Sequence, residues 1–204
     1  VEKAIENDQR KKSKDKHSVG SAPWRIQQLY EQLSSKLKNI ADIPADQENN
    51  FNKAVDDALL YAGILSHFVG DLSQPEHTTM NYDGQFSEQK CLHAYFETEM
   101  VSILPLSLAA EVLQHAKDVK APQKEGEGSL PVRIALALAW DAYQQLKTLH
   151  ELDLSYAIVS KSKNDNKQCA IRHPVNKSVP HFRELITHRL AVGARTLAHL
   201  WHAS

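Results

Sequence analysis

Apolar side chains recur at helical spacing along most of the chain. After Gly20, the positions Ile26, Leu29, Tyr30, Leu33 and Leu37 fall on one face, which predicts a helix running to about Asn39. Ser21 ahead of Ala22-Pro23-Trp24 supplies a capping hydroxyl and a first-turn proline. A second pattern begins near Pro44 to Gln47 and sets Phe51, Val55, Ala58, Leu59, Ala62, Leu65, Phe68 and Val69 on a broad face. It reads as a long, mostly buried helix, broken at Gly70 and Ser73-Gln74-Pro75. Residues 75–86 hold Pro, Asn, Asp and Gly without sustained period and are expected to form a loop.

Ser87 with Lys90 marks the next helix start, followed by Leu92, Tyr95, Phe96, Val101 and Leu104, and Pro105 opens a short helix from Leu106 to about Lys117. Residues 118–128 read as a connector, and Pro131 to about Leu152 as a strongly apolar helix. Ser155 to Pro180 is the longest stretch without helical period, and a segment that long is usually functional or disordered. A last helix is expected from His181 to about His202. Trp24, Trp140 and Trp201 are expected in the core. No strand alternation and no repeat at fixed period is visible, so the expected fold class is all-α, a single multi-helix domain over residues 21–204. Residues 1–20, dense in charge of both signs, are expected to be a solvated arm or loop.

Composition narrows the function classes. Twenty-four Lys and Arg against 25 Asp and Glu leave a net charge of -1, which removes the electrostatic footprint of a duplex-DNA binder. No apolar run approaches the ~20 residues of a membrane span. The chain starts at Val1 rather than Met, which reads as a processed form or a fragment. Cys91 and Cys169 form no C-x-x-C pair; a single disulfide and two unpaired thiols are both open. The unusual number is eleven histidines among 204 residues, roughly twice an ordinary share.

Their positions carry the chemistry. His67/Asp71 and His93/Glu97 are each spaced i,i+4 within an expected helix, so each pair projects from one face. Such pairs also occur on solvated helix faces, where they add only a few tenths of a kcal/mol. Here they are flanked by Phe68-Val69 and by Leu92 and Tyr95-Phe96, and an unpartnered buried carboxylate costs several kcal/mol. A cation removes that cost, and His77 in the intervening loop can close its coordination sphere. Cysteine-free His/Asp/Glu ligation suits zinc and normally marks a catalytic ion; two adjacent ions can grip a phosphoryl group, which points to phosphoester hydrolysis. His115, His150, His188, His199 and His202 lack such partners and read as surface or helix-end residues. His173, toward the end of the long segment, and Tyr82 are candidate substrate contacts, Tyr82 by stacking on a base or bracing a head group.

The run His67-Phe68-Val69-Gly70-Asp71-Leu72-Ser73-Gln74-Pro75-Glu76-His77, followed by Leu92-His93 and Glu97, closely resembles the signature of the zinc-dependent phospholipase C and fungal single-strand nuclease superfamily. That pattern is H-x-x-x-D, a Gln-Pro-x-His turn, then H-x-x-x-E in the phospholipases or H-x-x-x-D in the nucleases, so Glu97 leans to the phospholipase side. Ala22-Pro23-Trp24-Arg25-Ile26 and the closing Leu190 to Trp201 segment resemble the family more weakly. The resemblance implies a phospholipase C/nuclease-like helical fold, two or three Zn2+ ions, and a secreted or periplasmic protein. It implies that His67 and Asp71 hold one zinc with an upstream His and Asp, that His77, His93 and Glu97 hold another, and that Asp71 bridges to a third. In family members that third ion is bound by an amino-terminal Trp. This chain has Val1 there, and His17 with Asp8 or Asp15 supplies the only upstream candidates in the right order.

The expected function is thus a zinc-dependent phosphodiesterase acting on a phospholipid head group or on single-stranded nucleic acid or nucleotide. The alternative, resting on the departure at Val1, is a non-catalytic helical metal-binding or interaction module with an incomplete site.

Overall fold

The structure is a computed structural model and describes residues 20–44, 46–123, 125–162 and 168–203. The expected arm, with His17, Asp8 and Asp15, lies outside the described residues. In chain order the elements are α1 (Ala22–Ala41), α2 (Glu48–Ser73), a 3-10 turn (Pro75–Thr78), α3 (Leu92–Ala94, continuing as a π turn, Tyr95–Met100) and α4 (Leu108–Asp118). There follow α5 (Leu130–Gln144), α6 (Leu146–Leu152, continuing as a second π turn, Asp153–Ala157), β1 (Ile158–Ser160), β2 (Ile171–Arg172) and α7 (Val175–Ala203). The fold is therefore mostly all-α.

Two apolar clusters organise these helices. Ile26, Leu29 and Leu33 of α1 meet Leu65 and Val69 of α2, Ile134 and Leu138 of α5, and Val192 and Leu200 of α7. The second cluster joins Leu92, Phe96 and Met100 to Leu149 of α6 and to Phe182, Leu185 and Ile186 of α7. The 29 residues of α7 span about 43 Å, enough to serve one cluster with each half. The end of α2 belongs to the first cluster and α3 to the second, so the segment between them crosses the seam. That crossing carries the histidines.

Buried Arg189 of α7 ties the seam. Its Nε donates to the Ser73 carbonyl at the end of α2 at 2.8 Å, and its Nη1 to Asp141 Oδ2 of α5 at 2.5 Å. One orphan carbonyl of the helix end is thereby satisfied by a charged donor. Four residues on, Gly193 lets α7 approach closely: a Cβ there would lie 2.6 Å from Ser73 Oγ and 3.3 Å from Ser73 Cβ. Because Ser73 Oγ is engaged with the Val69 carbonyl at 2.8 Å, it cannot turn away without losing that bond. Gly193→Ala is expected to destabilise by ~1 kcal/mol or more through overpacking, read as a lower urea midpoint. An open site would give the opposite sign, since Ala favours a helix interior by ~1 kcal/mol.

Several local expectations are corrected. Ser21 makes no side-chain cap bond, α2 runs on through Gly70 to Ser73, and α3 begins at Leu92 rather than Ser87. α2 is not mostly buried: Leu59 and Leu60 are exposed at 64% and 61%, because only the Ala58, Leu65, Val69 and Leu72 face meets the core. Trp24, Trp140 and Trp201 are half-exposed on faces that turn away from the core positions of their helices, and Trp140 stacks on Tyr143 at 5.5 Å between ring centres. The apolar run after Pro131 divides into α5 and α6. The long segment after Ser155 carries an antiparallel pairing of Ile158 with Arg172 and Ser160 with Ile171, strands too short for alternation to show. It also carries the start of α7, which passes through Pro180. A Cys91–Cys169 disulfide, with the Cα atoms 5.3 Å apart, fastens this segment to the start of α3. No described helix is long and apolar enough to cross a membrane.

Candidate metal centre

The site grows from the polar segment that links α2 to α3. After Ser73 the chain turns at Gln74, whose side-chain oxygen accepts the Glu76 amide and whose Nε2 donates to Glu97 Oε2 at 3.0 Å. Pro75 sits in the first turn of the short 3-10 helix, where its missing amide costs nothing, and the turn presents His77 toward α3. Gly84, at φ +70°, lets the loop fold back: a Cβ would meet the Gln89 carbonyl at 2.5 Å. Cys91, also left-handed at φ 68°, leads directly into α3 and is held there by its disulfide. His93 then lies on the α turn and Glu97 on the π turn, a helix form that recurs at functional sites.

These constraints bring three donors together. His93 Nε2 lies 2.9 Å and His77 Nε2 3.2 Å from Glu97 Oε2, and the two imidazole nitrogens are 3.1 Å apart. The rings stack with centres 4.8 Å apart. The ligand atoms of the three residues all lie within 4.8 Å of one another. His93 Nδ1 faces the Tyr82 carbonyl at 2.9 Å; a carbonyl only accepts, so Nδ1 carries a hydrogen and Nε2 is left to face the cluster. Gln74 and Tyr82 thus orient two donors from behind, the usual support of a metal ligand.

Asp71 adjoins the triad. Its Oδ1 is 3.7 Å from His77 Nδ1 and its Oδ2 is 3.5 Å from His67 Nε2. The His67 side chain is 70% exposed, packs edge-on against Phe68, and reaches Asp71 rather than the triad. The Asp71 side chain is 30% exposed, so the burial cost invoked from sequence is only partial. Four of the expected ligands therefore form one connected group, and His67 sits at its edge.

The candidate substrate contacts fare differently. Tyr82 is 58% exposed and its carbonyl, not its ring, engages the site through His93. The backbone of His173 is engaged: its carbonyl accepts from Tyr95 Oη at 2.7 Å and its amide donates to the Ala157 carbonyl at 2.8 Å. No contact of its imidazole with the triad is present among the described residues. His150, expected at the surface, is instead a mostly buried partner of Glu76, and His115 of α4 meets His188 of α7 with nitrogens 3.2 Å apart. Two surface concavities, both lined by His115 and Thr187 among others, lie at that α4–α7 contact and contain none of the five expected ligands.

Glu97 and His93 shift one another. The bonds from His77 and His93 hold the Glu97 carboxyl well below its usual range, and Glu97 in turn raises His93 to about 9. In the metal-free chain the His93 charge therefore stabilises the fold fully below its ordinary value of 6.5, and this contribution is lost as pH rises through about 9. The Glu97 contribution is present above its ordinary 4.5 and is lost as pH falls. Metal must displace the His93 proton. Zinc affinity is thus expected to strengthen about tenfold per pH unit from 6.5 and to level off above about 9, read by competition titration with a chromogenic chelator. A pH-independent affinity over that interval would contradict this coupling.

The residues that sequence reasoning missed are Gln74, Glu76, Gln89 and His150, with Asp153 and Arg172 behind them. The signal within reach was a carboxylate, Glu76, inside the Gln-Pro-x-His turn itself. Comparison of the chain with protein-family models, with curated proteins and with solved structures finds no match.

Proposed function

We propose that the chain is a zinc-dependent phosphoric ester hydrolase of phospholipase C or single-strand nuclease type, acting on a phospholipid head group or on single-stranded nucleic acid. One observation carries this reading: an imidazole nitrogen from the 3-10 turn and an imidazole nitrogen and a carboxylate oxygen from α3 converge within hydrogen-bond distance, with the Asp71 carboxylate beside them. Three protein donors and an open side fit a catalytic rather than a structural ion. The donor set is nitrogen and oxygen, with both cysteines engaged in the disulfide, which suits zinc. The same disulfide fits an oxidising compartment, secreted or periplasmic. The resemblance of the His67-to-Glu97 signature to the phospholipase and nuclease superfamily supplies the reaction class.

Bound zinc would polarise a phosphoryl oxygen and lower the pKa of water at neutral pH. The chain's own part is positional and electrostatic. His77 and His93 present Nε2 to one point, Glu97 offsets charge there, and Gln74 with the Tyr82 carbonyl fixes their orientation. Asp71 faces His77 at Nδ1, the ring edge away from the triad, and His67 at Nε2, so it would orient His77 and join His67 in holding a second ion. The full chain, zinc-loaded or treated with chelator, is to be assayed in parallel on p-nitrophenyl phosphorylcholine and on single-stranded DNA. Zinc-dependent hydrolysis of one is expected, and the preferred substrate then sets the class.

The second reading is a non-catalytic helical metal-binding or interaction module. It is favoured by the exposure of His67, which leaves a second ion with few donors among the described residues. A chain that holds zinc and turns over neither substrate would establish it.

A further inference from the structure

Behind the triad lies a chain of buried polar groups that metal ligation itself does not use. Glu76 is fully buried, and its Oε1 meets His150 Nε2 at 3.0 Å. His150 Nδ1 meets Gln89 Oε1 at 2.7 Å. Gln89, 1% exposed, donates its Nε2 to Asp153 Oδ2 at 2.9 Å and to the His150 carbonyl at 3.0 Å, which fixes the amide orientation and makes His150 Nδ1 a donor. Asp153, also fully buried, is clamped by Arg172 Nε at 2.7 Å and Nη2 at 2.9 Å. Arg172 then returns to the backbone, donating to the Lys90 carbonyl at 3.0 Å and the Gln89 carbonyl at 2.6 Å.

The two ends of this chain are the neighbours of the ligands. Glu76 immediately precedes His77, and residues 89 and 90 lead through Cys91 into His93. With the carboxylate on Nε2 and an amide oxygen on Nδ1, the His150 ring is held at both edges and spans the gap between the two segments. Burying two carboxylates, an arginine and an imidazole this way is a poor device for stability alone, since apolar residues of similar volume would serve as well or better. We propose that Glu76 and His150 are positioning residues that hold the turn bearing His77 in register with the helix bearing His93, and so set the affinity of the triad for its ion. This rests on the metal reading of the triad.

The test contrasts two substitutions that each keep one of the two bonds of the His150 ring. His150→Gln places an amide where Nε2 was, keeping the bond to Glu76, whereas His150→Asn places one where Nδ1 was, keeping only the bond to Gln89. Zinc affinity, measured on the full chain by chelator competition, is expected to fall about 10- to 100-fold in His150→Asn, the range typical for lost support of a ligand. In His150→Gln it is expected to stay within about fivefold of wild type. Equal affinities in the two variants would overturn the proposal. Glu76→Met, similar in volume and needing no partner, separates the lost bond from lost volume: about tenfold weaker zinc binding supports the positioning role and wild-type affinity overturns it. A wild-type chain that binds no zinc would instead overturn the metal reading itself, so the two failures are distinct.

Discussion

On the proposed function, Glu97→Gln is expected to abolish zinc binding and phosphoester hydrolysis together. The substitution keeps the shape of the side chain and removes only the charge. Oε2 of Glu97 is the point at which His77, His93 and the Gln74 amide meet, so no other residue takes its place. Without the carboxylate, an incoming dication loses its one anionic donor in the triad, and affinity should fall at least ~100-fold, more than the loss of supporting residues costs. Asp71→Asn is the informative partner. It leaves the three donors in place, so one zinc should be retained, while the loss of the charge between His77 and His67 should abolish turnover. Zinc titration and initial rates on both variants check this, and full activity in either would sink the proposed mechanism.

The second large effect concerns the disulfide. Cys91 and Cys169 are 78 residues apart in sequence, and closing a loop of that size restricts the unfolded chain by about 4.5 kcal/mol in the chain-entropy treatment, with measured values more often ~2 to 4. Cys91→Ala with Cys169→Ala should therefore lower the unfolding free energy by ~2 to 4 kcal/mol. A second consequence follows from position: Cys91 stands two residues ahead of His93, and Cys169 immediately precedes the Ala170-to-Arg172 stretch whose bonds reach Lys90 and Gln89. Zinc affinity should weaken as well, and the non-thiol reductant tris(2-carboxyethyl)phosphine should reproduce both effects in the wild-type chain. Urea unfolding in chelator, with and without reductant, reads the first. A loss below about 0.5 kcal/mol would show that the bond closes a region already held by its polar contacts.

Legibility in the sequence followed the range of the interaction. Helical periodicity located the long helices because their apolar faces repeat locally, and the i,i+4 pairs were visible for the same reason. Gathering His77 with His93 and Glu97 was readable only through the spacing of the signature, since the fold-back at Gly84 and the left-handed Cys91 carry no period. The tryptophans misled because size suggested core, whereas each sits on the side of its helix opposite the buried stripe. The Glu76-to-Arg172 chain joins residues nearly a hundred positions apart, two of them inside segments whose composition announced something else. His150 lay within an apolar run and Arg172 in a stretch without pattern. Long-range polar pairing of this kind leaves no local trace in a sequence.

The most direct test of the central claim is the zinc content of the full chain, purified without added metal, by plasma mass spectrometry, together with its melting temperature before and after chelation. The expected result is at least one zinc per chain and a fall in melting temperature on chelation, because a ligand present at a hundred times its Kd adds ~2.7 kcal/mol to the folded state. A chain free of zinc, unchanged by added zinc and melting identically with and without chelator at neutral pH, would contradict it and leave the histidines and Glu97 as an ordinary hydrogen-bonded cluster at the seam of two apolar cores.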